Sequence, residues 1–335
     1  MTAEHQVRAI QDFGYSQAEA RFLRLVALHS GYFVRRQFLR SADCDHGKRA
    51  QDFIDKLTAR KHACREIYRE DRHLYRLHYR PIYAAIGQED NRNRREHQPA
   101  TIRVRLMGLD FVLEHPEHRF LATEQEKLRY FFEERKIEAD LLPARAFCVK
   151  GVFLTRHFVD GFPLFLSNAD SSGITFCYID DGQFSNAAFR SYLRQYHRLF
   201  RVLGPITLSF VTQHEHRFEA ADKALRRFCE RLSDPARPPV DVNRLLAHFP
   251  HRSLWERRET RSLNKVQIDQ LAENLRAFDG PRYTRLYELW LQEGDDGVRA
   301  ELAAENEMQL SVNVNFTLSI LEHDYDVFGT LQAAS

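Results

Sequence analysis

Asp160, Asp170, Asp180, Asp181 and Gln183 lie in one stretch of the chain and carry oxygen ligands of the kind that hard divalent cations take. Mg2+ or Mn2+ needs two or three such oxygens converging on one point, and once held it activates water for hydrolysis. A second set of side chains suits a polyanion. Lys48, Arg49, Gln51, Lys56 and Arg60 follow one another at close spacing, then Arg65, Arg69 and Arg72, then Arg92, Arg94 and Arg95. Guanidinium, ammonium and amide donors are the groups that grip phosphate oxygens.

Other chemistries have less to stand on. The chain has no G-x-x-x-x-G-K-[ST], G-x-S-x-G, H-E-x-x-H or G-x-G-x-x-G motif. His214-Glu215-His216 follows an apolar run and reads as capping at a strand-to-helix turn. Cys44, Cys64, Cys148, Cys177 and Cys229 never form C-x-x-C, so neither a disulfide framework nor a zinc site is expected.

The chain has 335 residues, 29% charged and 43% hydrophobic, the balance of a globular protein. No apolar run approaches the roughly 20 residues needed to span a bilayer, and residues 1–8 contain no apolar leader. A cytoplasmic protein without a membrane partner is expected. The net charge of +2 conceals an asymmetry: residues 1–100 hold 19 Lys and Arg against 13 Asp and Glu, whereas residues 279–335 hold 3 against 11. A basic head fits nucleic acid and an acidic tail does not.

The elements that would position the basic set can be read locally. Ser16-Gln-Ala-Glu19 is a capping box, and Phe22, Leu23, Leu25, Val26 and Leu28 continue it as a helix ending near Ser30-Gly31. Residues 33–39 make a short second helix. Gly47 opens a third, with Ala50, Phe53, Ile54 and Leu57 as its buried stripe. Its outward arc carries Lys48, Asp52, Asp55 and Lys56, flanked by Arg49, Gln51 and Arg60; the two aspartates weigh against tight base reading. Residues 64–77 alternate about Glu70-Asp71 as a hairpin. Three helices and a hairpin make a winged helix-turn-helix, whose third helix would enter the major groove of double-stranded DNA while wing arginines hold phosphates.

Residues 88–98 read as a polar, arginine-rich linker. Beyond them, helices are expected over 102–114, 123–132, 185–202 and 218–232, and strands over 147–154, 163–167, 174–179 and 206–211. That αβββαβα order resembles the PD-(D/E)xK nuclease-like core. With the preceding winged helix it resembles the plasmid replication-relaxation family over about residues 10–232. The family pattern is a strand ending E-x-D-R-G-T before a helix with Lys and Tyr; here stands Tyr178-Ile-Asp180-Asp181-Gly182-Gln183, with Tyr192 and Tyr196 following. Asp180 and Gly182 match. Tyr178, Asp181 and Gln183 replace the glutamate, arginine and threonine, and Pro163-Leu164 lacks the acid of the second strand.

The resemblance implies a DNA-binding accessory protein of a plasmid or mobile element with a catalytically degenerate core. If the core instead cuts DNA, Asp160 or Asp170 replaces the missing acid, Asp181-Gly182-Gln183 serves as a migrated motif, and Mg2+ or Mn2+ is the cofactor. A protein-interaction scaffold is the third reading.

Three prolines within residues 235–239 mark a boundary. Helices are expected over 241–249, 265–277, 281–292 and 297–310, with an aromatic stripe from Tyr283 to Trp290. Residues 309–316 alternate like an edge strand or an arm that pairs with another chain. The expected fold class is α+β: a winged helix-turn-helix (1–87), a basic linker (88–100), an α/β core (101–232) and a helical region (233–335) that offers a surface to a protein partner.

Overall fold

In a computed structural model of the chain, the Ser16 hydroxyl accepts from the Glu19 amide at 3.3 Å and the Glu19 carboxylate accepts from the Ser16 amide at 2.7 Å. Helix α2 (Gln17–His29) therefore starts where the capping box places it. The structure describes residues 1–43, 47–67, 72–149, 152–166, 173–183, 187–233, 241–307 and 314–326. It is a mixed α+β protein with several sheets. Residues 1–226 and 313–335 form one compact unit and residues 227–312 another. No helix among the described residues is long and apolar enough to cross a membrane.

Helix α1 (Ala3–Gln11) precedes α2; then come β1 (Tyr32–Phe33), α3 (Arg35–Ser41), α4 (Gly47–Ala59), β2 (Ala63–Ile67), β3 (His73–Leu77) and α5 (Arg80–Ala85). The stripe read on α4 is its buried face: Ala50, Phe53, Ile54 and Leu57 are all buried. Phe53 stacks on Phe38 at 4.1 Å between centroids, and Phe22 meets Phe33 edge-on at 5.2 Å, so α2, α3 and α4 close around aromatic rings. β2 and β3 pair antiparallel from Ala63↔Leu77 to Ile67↔His73. β1 adds the third strand in the order β1-β3-β2. A two-residue strand has no period to detect, so β1 is invisible in the sequence. The expected hairpin turn at Glu70-Asp71 lies outside the described residues.

The 88–100 stretch is not a solvated connector. Asn93, in a 3-10 turn (Arg92–Arg94), donates to the carbonyls of Ala27 at 3.0 Å and Leu28 at 2.9 Å, and so satisfies the end of α2. The Tyr32 hydroxyl donates to Arg95 O at 3.1 Å and accepts from the His97 amide at 2.9 Å. Gly31, at φ +79°, allows this approach: a Cβ there would stand 1.8 Å from Asn93 O.

Helix α6 (Pro99–Glu114) packs on one strand of the central sheet through Ile102, Leu106 and Met107 against Cys177 and Ile179; the sheet runs β10-β9-β8-β7-β4. Its strands are β4 (Arg119–Phe120), β7 (Leu164–Leu166), β8 (Ile174–Asp180), β9 (Ile206–Thr212) and β10 (Val314–Ile320). β8, β9 and β10 are mutually parallel, whereas β7 is antiparallel to both β8 and β4. The remaining elements are α7 (Glu124–Leu128), continued by a π turn (Arg129–Glu134), α8 (Ala187–Val202) and α9 (Arg217–Ser233).

Two expectations are corrected here. Residues 147–154 are not one core strand but the middle of a hairpin, β5 (Ala144–Val149) with β6 (Val152–His157), which forms its own two-stranded sheet. A continuous apolar run does not reveal that the chain reverses between the two strands. Residues 314–320, placed by sequence in the helical region, are strand, as the edge-strand reading of 309–316 expects. β10 pairs parallel with β9 from Val314↔Ile206 to Ile320↔Thr212 and thus occupies the edge of its own sheet.

The second unit holds α10 (Val242–Glu256), α11 (Lys265–Ala277) and α12 (Pro281–Glu307), packed through Leu245, Phe249, Phe278, Leu286, Tyr287 and Val298. The stripe from Tyr283 to Trp290 is core, as its helical spacing predicts. α12 kinks at Gly294, whose φ of 71° interrupts the helix between the two segments expected there.

Candidate nucleic-acid interface and the carboxylates of the central sheet

The basic residues of α4 divide into two groups. Lys48 and Arg49 are exposed near its first turn. Lys56 is committed inward: its ammonium lies 2.7 and 2.8 Å from the two carboxylate oxygens of Glu19 and 5.6 Å from the Tyr15 ring centroid. Arg60 donates to the Phe13 carbonyl and lies 5.4 Å from the same ring. Gln51 donates to Asp55 at 2.8 Å, one turn along the helix. Lys56 and Arg60 thus brace α4 against its own module, although Arg60 remains exposed.

On the hairpin, Arg65 and Arg72 are exposed; Arg69 lies outside the described residues. Arg65 and Arg35 both act on Tyr75, lowering a hydroxyl pKa that burial raises on balance. Arg35, which carries no sequence signal of its own, also donates to Gly47 O at 2.6 Å, so it stands at the start of α4. Among the linker arginines, Arg92 packs over Phe147 at 5.3 Å and Arg94 donates to Glu89 O at 3.1 Å, while Arg95 is exposed.

The carboxylates of the central sheet are held differently. Asp160 accepts from the Tyr196 hydroxyl at 2.7 Å and from the Phe162 amide at 3.0 Å. Asp180, at the end of β8, is paired with Arg217 at the start of α9, Nη2 standing 3.1 Å from Oδ1 and Nε donating to Oδ2. That hydrogen bond holds the Arg217 guanidinium above its ordinary pKa. Asp181 accepts from Arg103 at 2.9 Å and from the Gln183 amide at 3.2 Å. The Gln183 side chain reaches Asp326 at 3.4 Å, and Asp170 lies outside the described residues. Asp160, Asp180 and Asp181 do line one cavity of about 320 Å³, together with Phe162, Tyr178 and Tyr192.

These residues fit Mg2+ or Mn2+ poorly. A divalent ion needs several oxygen lone pairs aimed at one point, and here Asp180 and Asp181 each face a guanidinium. Among the described residues, no group of three or more His, Cys, Asp or Glu is arranged to hold a metal. Arg103 and Arg217 carried no motif. The one signal for Arg103 was a charged residue amid the apolar run Ile102-Arg-Val-Arg-Leu-Met107, and only the sheet beneath shows which way it turns. His214 bears out the capping reading: its carbonyl accepts from the Arg217 amide at 3.0 Å, and its own amide donates to Thr212 Oγ1 at 3.2 Å.

A third cluster had no sequence signal either. Asp110 on α6 accepts from Arg36 at 2.7 and 3.0 Å, from Gln37 at 2.8 Å and from the Tyr325 hydroxyl at 2.6 Å. It ties α3 to α6 and to the segment after β10.

The chain matches no family model, no curated protein and no solved structure.

Proposed function

We propose that this chain is a DNA-binding accessory protein whose N-terminal region, a winged helix-turn-helix, sits on duplex DNA, and whose nuclease-like core docks DNA or a partner without cutting. The observation that carries the reading is the order α2-β1-α3-α4-β2-β3 with its three-stranded sheet β1-β3-β2. A helix whose buried stripe faces two other helices, followed by a hairpin, is the arrangement in which the third helix enters a major groove and the hairpin flanks it. Lys48 and Arg49 on α4, with Arg65 and Arg72 on the hairpin, are exposed cations suited to holding phosphates. The plasmid or mobile-element setting rests on the family resemblance alone.

Fluorescence anisotropy with a labelled duplex, repeated across a salt series, tests this. Binding should weaken steeply with salt as counterions are released. No binding at low salt, or a slope near zero, sinks the proposal.

One observation favours a second reading. Asp160, Asp180 and Asp181 share a cavity wall, and a metal-dependent nuclease would need such a gathering. The arginines on Asp180 and Asp181 weigh against it. A protein partner would find exposed apolar side chains on the helical unit, among them Trp255, Val266 and Ile268.

A further inference from the structure

A cavity of about 740 Å³ opens among the 87–93 segment, the end of α2, α6 and the 156–163 turn. We propose that this cavity is a binding site for a mononucleotide, held through its phosphate. The inference is independent of the DNA-binding reading.

The reason is an imbalance between the donors and acceptors of the cavity wall. The two carboxylates set into the wall each hold one donor on each oxygen. Glu124 accepts from Arg156 Nε and from the His157 amide, both at 2.7 Å, and Asp160 accepts from Tyr196 and from the Phe162 amide. Glu89 and Asp90 stand at the exposed rim.

The donors are not satisfied. Lys127 is 4% exposed and gives one ammonium hydrogen to Phe162 O at 3.1 Å, with the Phe158 ring 5.5 Å away. An ammonium has three hydrogens. Among the described residues Arg105 is hydrogen-bonded through Nη1 alone, to Ser30 O at 2.7 Å and Asn93 Oδ1 at 2.6 Å; burial brings its pKa down to about 10, with the buried Tyr32 and Tyr83 hydroxyls as its opposing partners. His157 Nδ1 is buried with no hydrogen-bond partner among the described residues. Unspent cationic donors beside carboxylates that already hold one donor on each oxygen leave room for an anion, and a phosphate monoester offers several strong acceptors at once.

The rest of the wall suits a flat ring. His29, His97, Phe162 and Pro163 contribute planar or apolar surface. Burial, with the nearby charges of Arg24 and Lys127, lowers the His29 pKa to about 3, so its ring is neutral and offers a stacking face in place of a further cation. The cavity volume is in the range of small-molecule sites, roughly 300–1,000 Å³. The turn forming one side is strained: Phe158 has φ 51°, unusual for a bulky side chain, and Gly161 follows at φ 72°. Strain of this kind concentrates at ligand sites.

Isothermal titration calorimetry of the full chain with AMP, GMP, CMP, dTMP and inorganic phosphate tests the proposal. At least one mononucleotide should bind saturably, with Kd on the order of 100 µM or tighter and at least about tenfold better than inorganic phosphate. Lys127→Met should weaken that binding by roughly tenfold or more with unchanged far-ultraviolet circular dichroism. Arg105→Gln and His157→Gln should each weaken it as well, and they carry the test if Lys127→Met fails to fold. Three results would overturn the assignment: no heat or thermal shift with any mononucleotide at about 5 mM, affinity unchanged in the folded variants, or equal affinity for inorganic phosphate.

Discussion

Arg103 Nη2 stands 2.9 Å from Asp181 Oδ2, with 7% of one side chain and 1% of the other exposed, so a guanidinium faces the carboxylate just past the end of β8. Arg103 Nε, also buried, has no partner among the described residues, so the pair is under-satisfied there. Removing one member strands a buried charge and should cost about 3–5 kcal/mol, whereas replacing both with apolar side chains is often near neutral. Asp181→Leu should therefore destabilise strongly, and Arg103→Met with Asp181→Leu should recover most of the loss. Urea unfolding of the wild type, both single variants and the double variant completes the cycle. Additive losses would refute the pairing.

The arginines on Asp180 and Asp181 also predict an inert core. Supercoiled plasmid incubated with the protein and Mg2+ or Mn2+ should stay supercoiled on an agarose gel, with Asp180→Ala indistinguishable from the wild type. Metal-dependent nicking that Asp180→Ala abolishes would establish the nuclease reading instead.

Asn93 holds three groups at once: the carbonyls of Ala27 and Leu28 and the guanidinium of Arg105. Asn93→Ala should lower stability by about 1–3 kcal/mol, the cost of leaving part-buried groups unpaired. Gly31→Ala should be worse, because its Cβ would collide with the Asn93 carbonyl at a left-handed φ. Thermal denaturation ranks the two; a Gly31→Ala protein as stable as the wild type would contradict the packing.

Exposed and committed cations of the N-terminal region should separate in DNA binding. Lys48→Ala, Arg49→Ala and Arg65→Ala should each flatten the salt dependence of log K by about one unit for every phosphate the variant no longer neutralises. Lys56→Ala should leave that slope unchanged, since the ammonium is held by Glu19, and should cost stability of about 1 kcal/mol or less. A Lys56 variant that flattens the slope as much as Lys48→Ala would mean that α4 meets DNA by another face.

His29 makes folding sensitive to acid. Its folded pKa of about 3, set first by burial, lies below its ordinary 6.5. Between those values the unfolded chain binds the proton and the folded chain does not, so stability falls as pH drops from about 6.5 towards 3. The loss should be on the order of a few kcal/mol. His248 in the helical unit, lowered to about 4 by burial, acts in the same direction. Comparing urea midpoints at neutral and mildly acid pH should show a shallower decline in His29→Gln than in the wild type; equal declines would remove His29 as the cause.

Elements whose signal is local appear where the sequence places them. The capping box at Ser16 needs only residues 16–19, and the stripe from Ala50 to Leu57 needs only the helical period, so α2 and α4 stand as expected. The helix after Asp180 and the strand after it are equally periodic, and α8 and β9 are present. The candidate site fared differently. Lys56 points from α4 as the sequence implies, yet Glu19 and Tyr15, some forty residues earlier, engage its ammonium, and Tyr15 also lies against Arg60 just past the helix. Arg65, by contrast, stays exposed.

By itself the sequence determined the basic head, the capped helices and the α4 stripe, because composition, caps and periodicity are properties of neighbouring residues. Only the tertiary structure decided the fate of the carboxylates of the central sheet. Arg103 lies 78 residues from Asp181 and Arg217 lies 37 residues from Asp180, and neither pairing has a period or a motif to announce it. It also decided that β10 closes onto β9, since an alternating segment states that it will pair but not with which strand. The partners of the acids are therefore set by which helices the sheet brings over the end of β8, a consequence of packing that no local stretch encodes.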